Sequence, residues 1–153
     1  DPDDHIYEYA AQALEAMGVA TVNHFRKAYK KAKGAPRLTA LQGLGVLRDK
    51  ESREAFRNAT KEKDLEIRLT GLWGLMRIAS AEDSELLLAQ SAKESGWGRI
   101  KATAYCLELA ESLETNGKNK EARAIYLNIK KTRTEEHEDY LRESADRELA
   151  RLK

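Results

Sequence analysis

The chain has 153 residues, of which 41% are hydrophobic and 35% are charged, and its 27 basic residues almost balance its 26 acidic ones to give a net charge of +1. This length suffices for one domain with a buried core, and near neutrality gives no ground for binding nucleic acid or a membrane surface through net charge. The single cysteine excludes an internal disulfide. No apolar run approaches the roughly 20 residues of a membrane span and no signal peptide is recognisable, so we expect a soluble protein, with the cytoplasm favoured and the compartment undecided.

The first 35 residues predict a degenerate helix pair. An acidic lead-in at residues 1–4 precedes apolar residues at helical spacing over residues 6–17, and Gly18 marks the stop. A second helix follows over residues 19–33 and ends at residues 34–36. Because the chain does not begin with methionine, we expect a processed chain or a piece excised from a longer protein.

The middle of the chain contains a repeat. The stretch that begins at Arg68, Arg-Leu-Thr-Gly-Leu-Trp-Gly-Leu-Met-Arg-Ile, has a near copy beginning at Arg37 and a looser copy beginning at Arg99, and both spacings are 31 residues. A fixed period of this length is typical of a solenoid, in which each repeat is a helix pair that cannot bury its apolar face alone.

Glycines recur inside these helical patterns. Gly43, Gly45, Gly71 and Gly74 lie within apolar stretches, although a glycine inside a helix costs about 1 kcal/mol relative to alanine. We therefore predict that a neighbouring helix closely approaches the backbone at these positions.

The second copy, Asp64-Leu-Glu-Ile-Arg68-Leu-Thr-Gly-Leu-Trp-Gly-Leu, resembles the bacterial type of HEAT-like repeat that also occurs in phycobilin lyases. That unit carries an acidic residue in the turn and an arginine four residues later, as at Asp64 and Arg68. The other copies depart from it, with Lys33 and Ser95 in the acidic position. The resemblance covers residues 36–113 and implies an all-α, right-handed solenoid of stacked antiparallel helix pairs, with about nine helices in a single domain spanning the whole chain.

Residues 114–153 follow a different pattern. The turn signal Asn116-Gly117 and the apolar residues after it resemble a tetratricopeptide-like hairpin. A last helix is predicted over residues 135–152, with one apolar face and one highly charged face that includes Glu138. Such a helix suits the capped end of a repeat array.

The repeated arginines allow two interpretations. Arg68 lies one helical turn after Asp64 and can also reach a neighbouring repeat. Arg37, Arg68 and Arg99 are therefore either a row of ligand-binding cations or a ladder that ties repeat to repeat. The family resemblance implies the ladder.

The sequence contains no constellation that supports catalysis. Cys106 falls in an apolar column of the repeat and is expected in the core. His5, His24 and His137 lie on three different predicted helices, and none has a second ligand at metal-binding spacing. There is no phosphate-cradling glycine loop, no Gly-x-Ser-x-Gly and no Cys-x-x-Cys. We expect no enzymatic activity, no cofactor and no metal.

Two segments are dense in basic residues, residues 26–37 with Phe25 and Tyr29 interleaved, and residues 118–133. Both lie on or beside the second helices of pairs, which line the concave face in HEAT-like arrays. They form either a groove for an acidic partner or a nucleic-acid backbone, or solvated helix faces, and we favour the solvated faces. Phe25 and Tyr29 are one turn apart and are expected in the core.

These observations predict a non-enzymatic scaffold that binds another protein on the concave face of the array. We expect a monomer whose contact residues lie on the exposed sides of second helices, namely Arg26, Lys30, Arg53, Arg57, Glu85, Lys93 and Arg123. Trp97, between two glycines on a turn, is either a further contact residue or folds over the end of its own hairpin. The alternatives are a nucleic-acid-binding module that uses the basic second helices, a bilin-lyase-like protein, and a structural segment of a longer array.

Overall fold

The computed structural model describes the backbone of residues 6–152 and the side chains of residues 8–152. These residues form nine α-helices, four short 3₁₀ turns and no strand. The predicted all-α helical repeat fold and the predicted number of helices are therefore confirmed. The predicted lead-in at residues 1–4, like His5, lies outside the described residues.

The α-helices in chain order are α1 Ile6–Ala16, α2 Val22–Lys31, α3 Gly34–Val46, α4 Arg53–Ala59, α5 Leu65–Ile78, α6 Ser84–Lys93, α7 Gly96–Thr115, α8 Asn119–Thr132 and α9 Asp139–Arg151. We call α1, α3, α5, α7 and α9 the first helices, and α2, α4, α6 and α8 the second helices.

The chain forms two compact units, Asp1–Ile78 and Ala79–Lys153. In the first unit, α2 packs on α3 and α4 packs on α5, while α3 also contacts α1 and α5. In the second unit, α7 packs against both α6 and α8, and α8 also contacts α6 and α9. Each second helix therefore packs against the first helix that follows it in the chain.

The glycines of the first unit lie where two helices approach closely. A Cβ added at Gly43 would lie 2.4 Å from the Phe25 ring, and one added at Gly74 would lie 2.2 Å from the Phe56 ring. At Gly71 the added atom would lie 2.7 Å from the carbonyl oxygen of Phe56. The predicted close approach is confirmed, because the helices can pack at this distance only without a side chain there.

The predicted start of the second helix was wrong by three residues. The second helix begins at Val22, because the preceding residues form a 3₁₀ turn in which the Thr21 hydroxyl donates to the carbonyl of Leu14 or of Gly18, each at 2.7 Å. A 3₁₀ turn likewise precedes α6, and the side chain of Ser80 before that turn makes no capping hydrogen bond.

Helix α3 ends with a non-glycine residue in a left-handed conformation. The Arg48 N–H, at a φ of 52°, donates to the carbonyl of Gly45 at 3.1 Å, and the Asp49 N–H donates to that of Leu44 at 3.0 Å. The equivalent two hydrogen bonds end α7 at Gly117, whose φ is 73°. The Gly117 N–H donates to the carbonyl of Glu114 and the Lys118 N–H donates to that of Leu113, each at 2.8 Å. This is a Schellman arrangement, in which glycine is favoured because it has no Cβ to clash.

Replacing Arg48 with glycine should therefore raise the free energy of unfolding by about 0.5–1 kcal/mol, since the exposed arginine is held in a conformation that costs L-residues about 1–2 kcal/mol. The measurement is the midpoint of urea unfolding at unchanged slope. Gly117→Ala is the matched control and should lower the midpoint. A lower midpoint for Arg48→Gly would show that the arginine side chain contributes more than the backbone conformation costs.

Candidate interaction surface

The predicted contact residues other than Trp97 all lie on second helices. They are Arg26 and Lys30 on α2, Arg53 and Arg57 on α4, Glu85 and Lys93 on α6, and Arg123 on α8. The structure therefore places these side chains in the same layer within each unit, as the repeat pattern predicted. Their contact with a partner stays a prediction.

Arg26 is bound within the first unit. Its Nε donates to Asp49 Oδ2 at 2.7 Å and its Nη1 donates to Glu51 Oε2 at 2.6 Å, while the Ser52 hydroxyl donates to Asp49 at 2.5 Å. Burial alone would raise the pKa of Asp49, but the hydrogen bonds from Arg26 and Ser52 outweigh it and hold that pKa below its usual range. Arg26 thus ties α2 to the turn before α4, which makes it a poor choice for a partner contact.

The other predicted residues of the first unit differ in exposure. Lys30 is exposed and forms no ion pair with a described residue. Arg53 and Arg57 are half-buried, and Arg57 lies 3.4 Å from Glu54 one turn earlier on α4. Of these side chains, Lys30 is the one best placed to meet a partner.

In the second unit the predicted residues share one surface. Glu85 and Lys93 are exposed on α6, and Arg123 is exposed on α8. These two helices contact each other and both pack on α7. Their outward sides therefore form a continuous surface on the side of the second helices.

Trp97 lies in the first turn of α7 rather than on a second helix, and 62% of its surface is exposed. Gly96 before it has a φ of 49°, so the chain enters the helix through a conformation that suits glycine. The exposed ring favours the interpretation as a contact residue over the one in which it folds over its own hairpin.

The aromatic residues of the first basic segment contribute to the structure. Phe25 is buried, as predicted. Tyr29 is half-buried, and its hydroxyl accepts a hydrogen bond from Arg37 at 3.0 Å while its ring lies 4.8 Å from the same guanidinium. Neither ring is available to stack on a nucleobase.

Two of the ladder arginines, Arg37 and Arg99, form ion pairs with a glutamate in the turn before the next first helix. Arg37 on α3 donates to Glu62 at 3.2 Å, just before α5. Arg99 on α7 donates through Nε to Glu138 Oε1 at 2.6 Å and through Nη2 to Oε2 at 3.3 Å, just before α9. Both contacts join one helix pair to the following one within a unit.

The middle arginine and its predicted acidic neighbour have other contacts. Arg68 donates to the carbonyl oxygens of Glu62 and Lys63, at 3.1 and 2.7 Å. The Asp64 carboxylate accepts the backbone N–H groups of Glu66 and Ile67, at 2.8 and 3.2 Å, and so caps the start of α5. The acidic residue of this repeat, Asp64, therefore stabilises the N-terminus of α5.

A buried arginine that sequence reasoning assigned to a basic surface lies in the core of the second unit. Arg133 has no exposed surface. Its guanidinium donates to the hydroxyls of Ser91 at 2.6 Å, Thr103 at 2.9 Å and Thr132 at 2.8 Å. Burial and the nearby Arg99 lower the pKa of Arg133, because both disfavour the charged form. The expectation that residues up to 133 form a basic surface was wrong at this position.

Glu138 was also misplaced by the sequence pattern. It was predicted on the charged outer face of the last helix, but it is fully buried. Burial alone would raise its pKa, yet the hydrogen bonds from Arg99 outweigh this and lower it. The Glu135 N–H also donates to it, at 3.3 Å. Only the packing of α9 against α7 and α8 brings this carboxylate to the two arginines, so spacing could not have revealed it.

Cys106 is buried, as predicted, and burial raises the pKa of its thiol to about 11. Its sulfur lies 3.7 Å from the Ser91 hydroxyl and 3.4 Å from the carbonyl of Ala102. A buried thiol with a raised pKa has little thiolate at neutral pH. In residues 8–152, no group of three or more histidine, cysteine, aspartate and glutamate side chains could hold a metal ion.

A cavity of about 510 Å³ lies at the ends of α7, α8 and α9, and nothing in the repeat pattern predicted it. It is lined by Glu111, Glu114, Thr115, Asn119, Arg151 and Leu152. Arg151 pairs with Glu114, which also accepts a hydrogen bond from the Tyr126 hydroxyl at 2.7 Å. Burial and the neighbouring carboxylates raise the pKa of Glu111. The walls come from the ends of separate helices, which a helical period does not bring together.

A family model of HEAT repeats matches residues 22–108, which is more than half of the chain. The chain belongs to the HEAT repeat family. Comparisons with the curated proteins and with the solved structures found no match. The matched range runs from α2 into α7, so the resemblance seen at Asp64 and Arg68 is confirmed. Residues 109–153 lie outside it, and the tetratricopeptide-like character of the last hairpin stays a prediction.

HEAT repeats generally act as protein-interaction scaffolds, and the family is typically non-enzymatic. No helix in the described part of this HEAT repeat chain is long and apolar enough to cross a membrane. The extended surface of second helices suits recognition of another protein, because it offers many contact positions along one side of each unit.

Proposed function

We propose that this HEAT repeat protein is a non-enzymatic scaffold that binds a partner protein through its second helices, which line the concave face in HEAT-like arrays. The supporting observation is that Lys30, Lys93 and Arg123 are exposed on second helices and form no ion pair with a described residue. Charged side chains without an internal partner are free to pair with a partner protein. Charge pairs across a protein–protein interface affect the specificity and the rate of association more than they affect the affinity.

The test is affinity capture from a native lysate with nuclease added, at low and at moderate salt. The variant Lys30→Glu, Lys93→Glu, Arg123→Glu should lose a protein that the wild type retains. Its matched control, Lys50→Glu, Lys61→Glu, Lys63→Glu, makes the same change of net charge at exposed positions in the turns. The control should retain that protein.

Two outcomes would contradict the proposal. A protein retained by every variant would place the binding surface elsewhere, and Trp97 would be the next residue to replace. Loss of everything bound after nuclease treatment would favour a nucleic-acid-binding module, whose affinity falls steeply with salt.

A further inference from the structure

One exposed strip of α8 combines a leucine with three cations. The buried side of α8 carries Ala122, Ile125, Tyr126 and Ile129. The opposite side carries Lys120, Arg123, Leu127 and Lys131, all exposed, and we call these four residues the α8 strip. Their spacing of three, four and four residues places them along one line of the helix. Leu127 lies between the cations with 46% of its surface exposed.

The cations of the α8 strip form no ion pair within the part of the chain that the structure describes. None of Lys120, Arg123 and Lys131 forms an ion pair with a described residue, whereas the neighbouring Lys130 lies 2.5 Å from Asp146 of α9. Glu121 is the single acidic residue of α8 and projects about 100° away from Lys120 around the helix. The strip therefore concentrates positive charge in a chain whose net charge is only +1.

Helix stability does not explain these charges. Lys131 lies in the last turn of α8, where a cation favours the helix dipole. Lys120 lies in the first turn, where a cation opposes the dipole and costs about 0.3–1 kcal/mol, and Lys118 precedes it as the N-cap residue. The dipole therefore does not account for Lys118 and Lys120, and their charge is consistent with recognition of an anionic group.

We propose that the α8 strip binds an acidic segment of a partner protein that places an apolar side chain on Leu127. This inference rests on the proposed scaffold function and names the chemistry of its partner. From Lys120 to Lys131 the strip is about 16 Å long at 1.5 Å per residue. It therefore fits about five residues of an extended peptide or about three turns of a helix, with carboxylates on both sides of the apolar residue.

The leucine distinguishes this partner from a nucleic acid. Proteins that bind single-stranded nucleic acid stack aromatic side chains on the bases. Leu127 has no aromatic ring and cannot make this contact. A phosphate backbone would contact the cations but would leave the leucine exposed. An acidic segment with an apolar residue contacts both the cations and the leucine. Its apolar side chain packs on Leu127, and this removes both side chains from water.

The experiment titrates three probes into the isotope-labelled full chain and follows its backbone amide signals by NMR. The first probe is a short synthetic peptide with a central Leu-Phe pair flanked by glutamates. The second is the same peptide with Ser-Ser at its centre, and the third is an oligo-dT strand. The first peptide should shift the amides of α8, and the serine peptide should bind about tenfold more weakly because it cannot cover Leu127.

Substitutions in the α8 strip test whether its residues bind the first peptide. Lys120→Glu, Arg123→Glu, Lys131→Glu should weaken the first peptide about tenfold or more, and Leu127→Ser should weaken it to the level of the serine peptide. The matched control Lys50→Glu, Lys61→Glu, Lys63→Glu reverses three exposed charges in turns of the first unit and should leave this binding unchanged. Circular dichroism confirms that each variant is folded.

Three results would overturn the inference. They are no shift with the first peptide, equal affinity for both peptides, and tighter binding of the oligo-dT strand. A shift of α2 in place of α8 would also overturn it while leaving the scaffold function in place. The scaffold function is tested separately by lysate capture, and it fails if the second-helix variant loses no protein or if nuclease removes everything bound.

Discussion

Replacing Glu138 with glutamine is expected to lower the free energy of unfolding by about 3–5 kcal/mol, the cost of removing one partner from a buried ion pair. Glu138 has no exposed surface and accepts a hydrogen bond from Arg99 at 2.6 Å, and the charge of the fully buried Arg133 also lowers its pKa. Glutamine keeps the size of the side chain and removes its charge. The half-buried Arg99 and the fully buried Arg133 would then lack this counter-charge.

The same substitution should change how stability depends on pH. The pKa of Glu138 in the folded chain lies below its ordinary value of 4.5, so its stabilising effect is present above that value and is lost as the pH falls through the lower, folded pKa. The wild type should therefore lose more stability on acidification than Glu138→Gln. Part of the slope should remain in the variant, because the pKa of Asp49 is also lowered. Urea unfolding at several pH values measures both effects.

The matched control is Glu62→Gln in the first unit. Glu62 occupies the corresponding turn and pairs with Arg37 at 3.2 Å, but its side chain is 40% exposed. Exposed ion pairs contribute about 0.2–1 kcal/mol, so this variant should remain close to the wild type. Equal losses in the free energy of unfolding for Glu138→Gln and Glu62→Gln would show that burial does not determine the strength of these two ion pairs.

Replacing Gly71 with alanine is expected to destabilise the chain by about 1–3 kcal/mol, although alanine favours a helix by about 1 kcal/mol over glycine. The added Cβ would lie 2.7 Å from the carbonyl oxygen of Phe56 and 2.9 Å from the backbone nitrogen of Thr60. These atoms belong to the backbone of α4 and its C-terminus and have no alternative rotamer. Helix α4 must therefore move away from α5, which loosens the packing around Phe56. The midpoint of urea unfolding is the measurement.

Gly45→Ala is the control for helix propensity. Its added Cβ would lie 2.4 Å from the edge of the Trp73 ring, and that ring is half-buried and can turn. We expect a smaller loss than at Gly71, because a side chain can yield where a backbone cannot. A stabilised Gly71→Ala variant would show that α4 and α5 are not held at this distance in solution.

The helices and their order were predictable from the sequence because the 31-residue period repeats a local pattern. Apolar residues at helical spacing mark each helix, and small residues such as Gly71 mark where the next helix approaches. The placement of Lys30, Lys93 and Arg123 on second helices followed from the same pattern. Periodicity carries this information because each repeat contacts mainly its neighbours in the sequence.

The partners of the charged side chains were decided by the tertiary structure. The sequence indicated that Arg68 can pair with Asp64, and the structure shows in addition that the Asp64 carboxylate caps α5. Arg99 and Glu138 are 39 residues apart, and no period of the sequence relates them. Whether a charged residue at a helix end is buried depends on how the following helix packs, so a helical wheel could not separate Glu138 from its exposed neighbours.

The sequence by itself determined the HEAT repeat fold of this chain and placed the proposed charged contact residues on second helices, because both depend on local spacing. The tertiary structure decided which of those charges are available to a partner. Arg26 and Arg133 are bound inside the units, whereas Arg123 beside Leu127 remains exposed. The physical reason is that ion pairing and burial depend on distances across helix pairs, which a one-dimensional repeat does not specify.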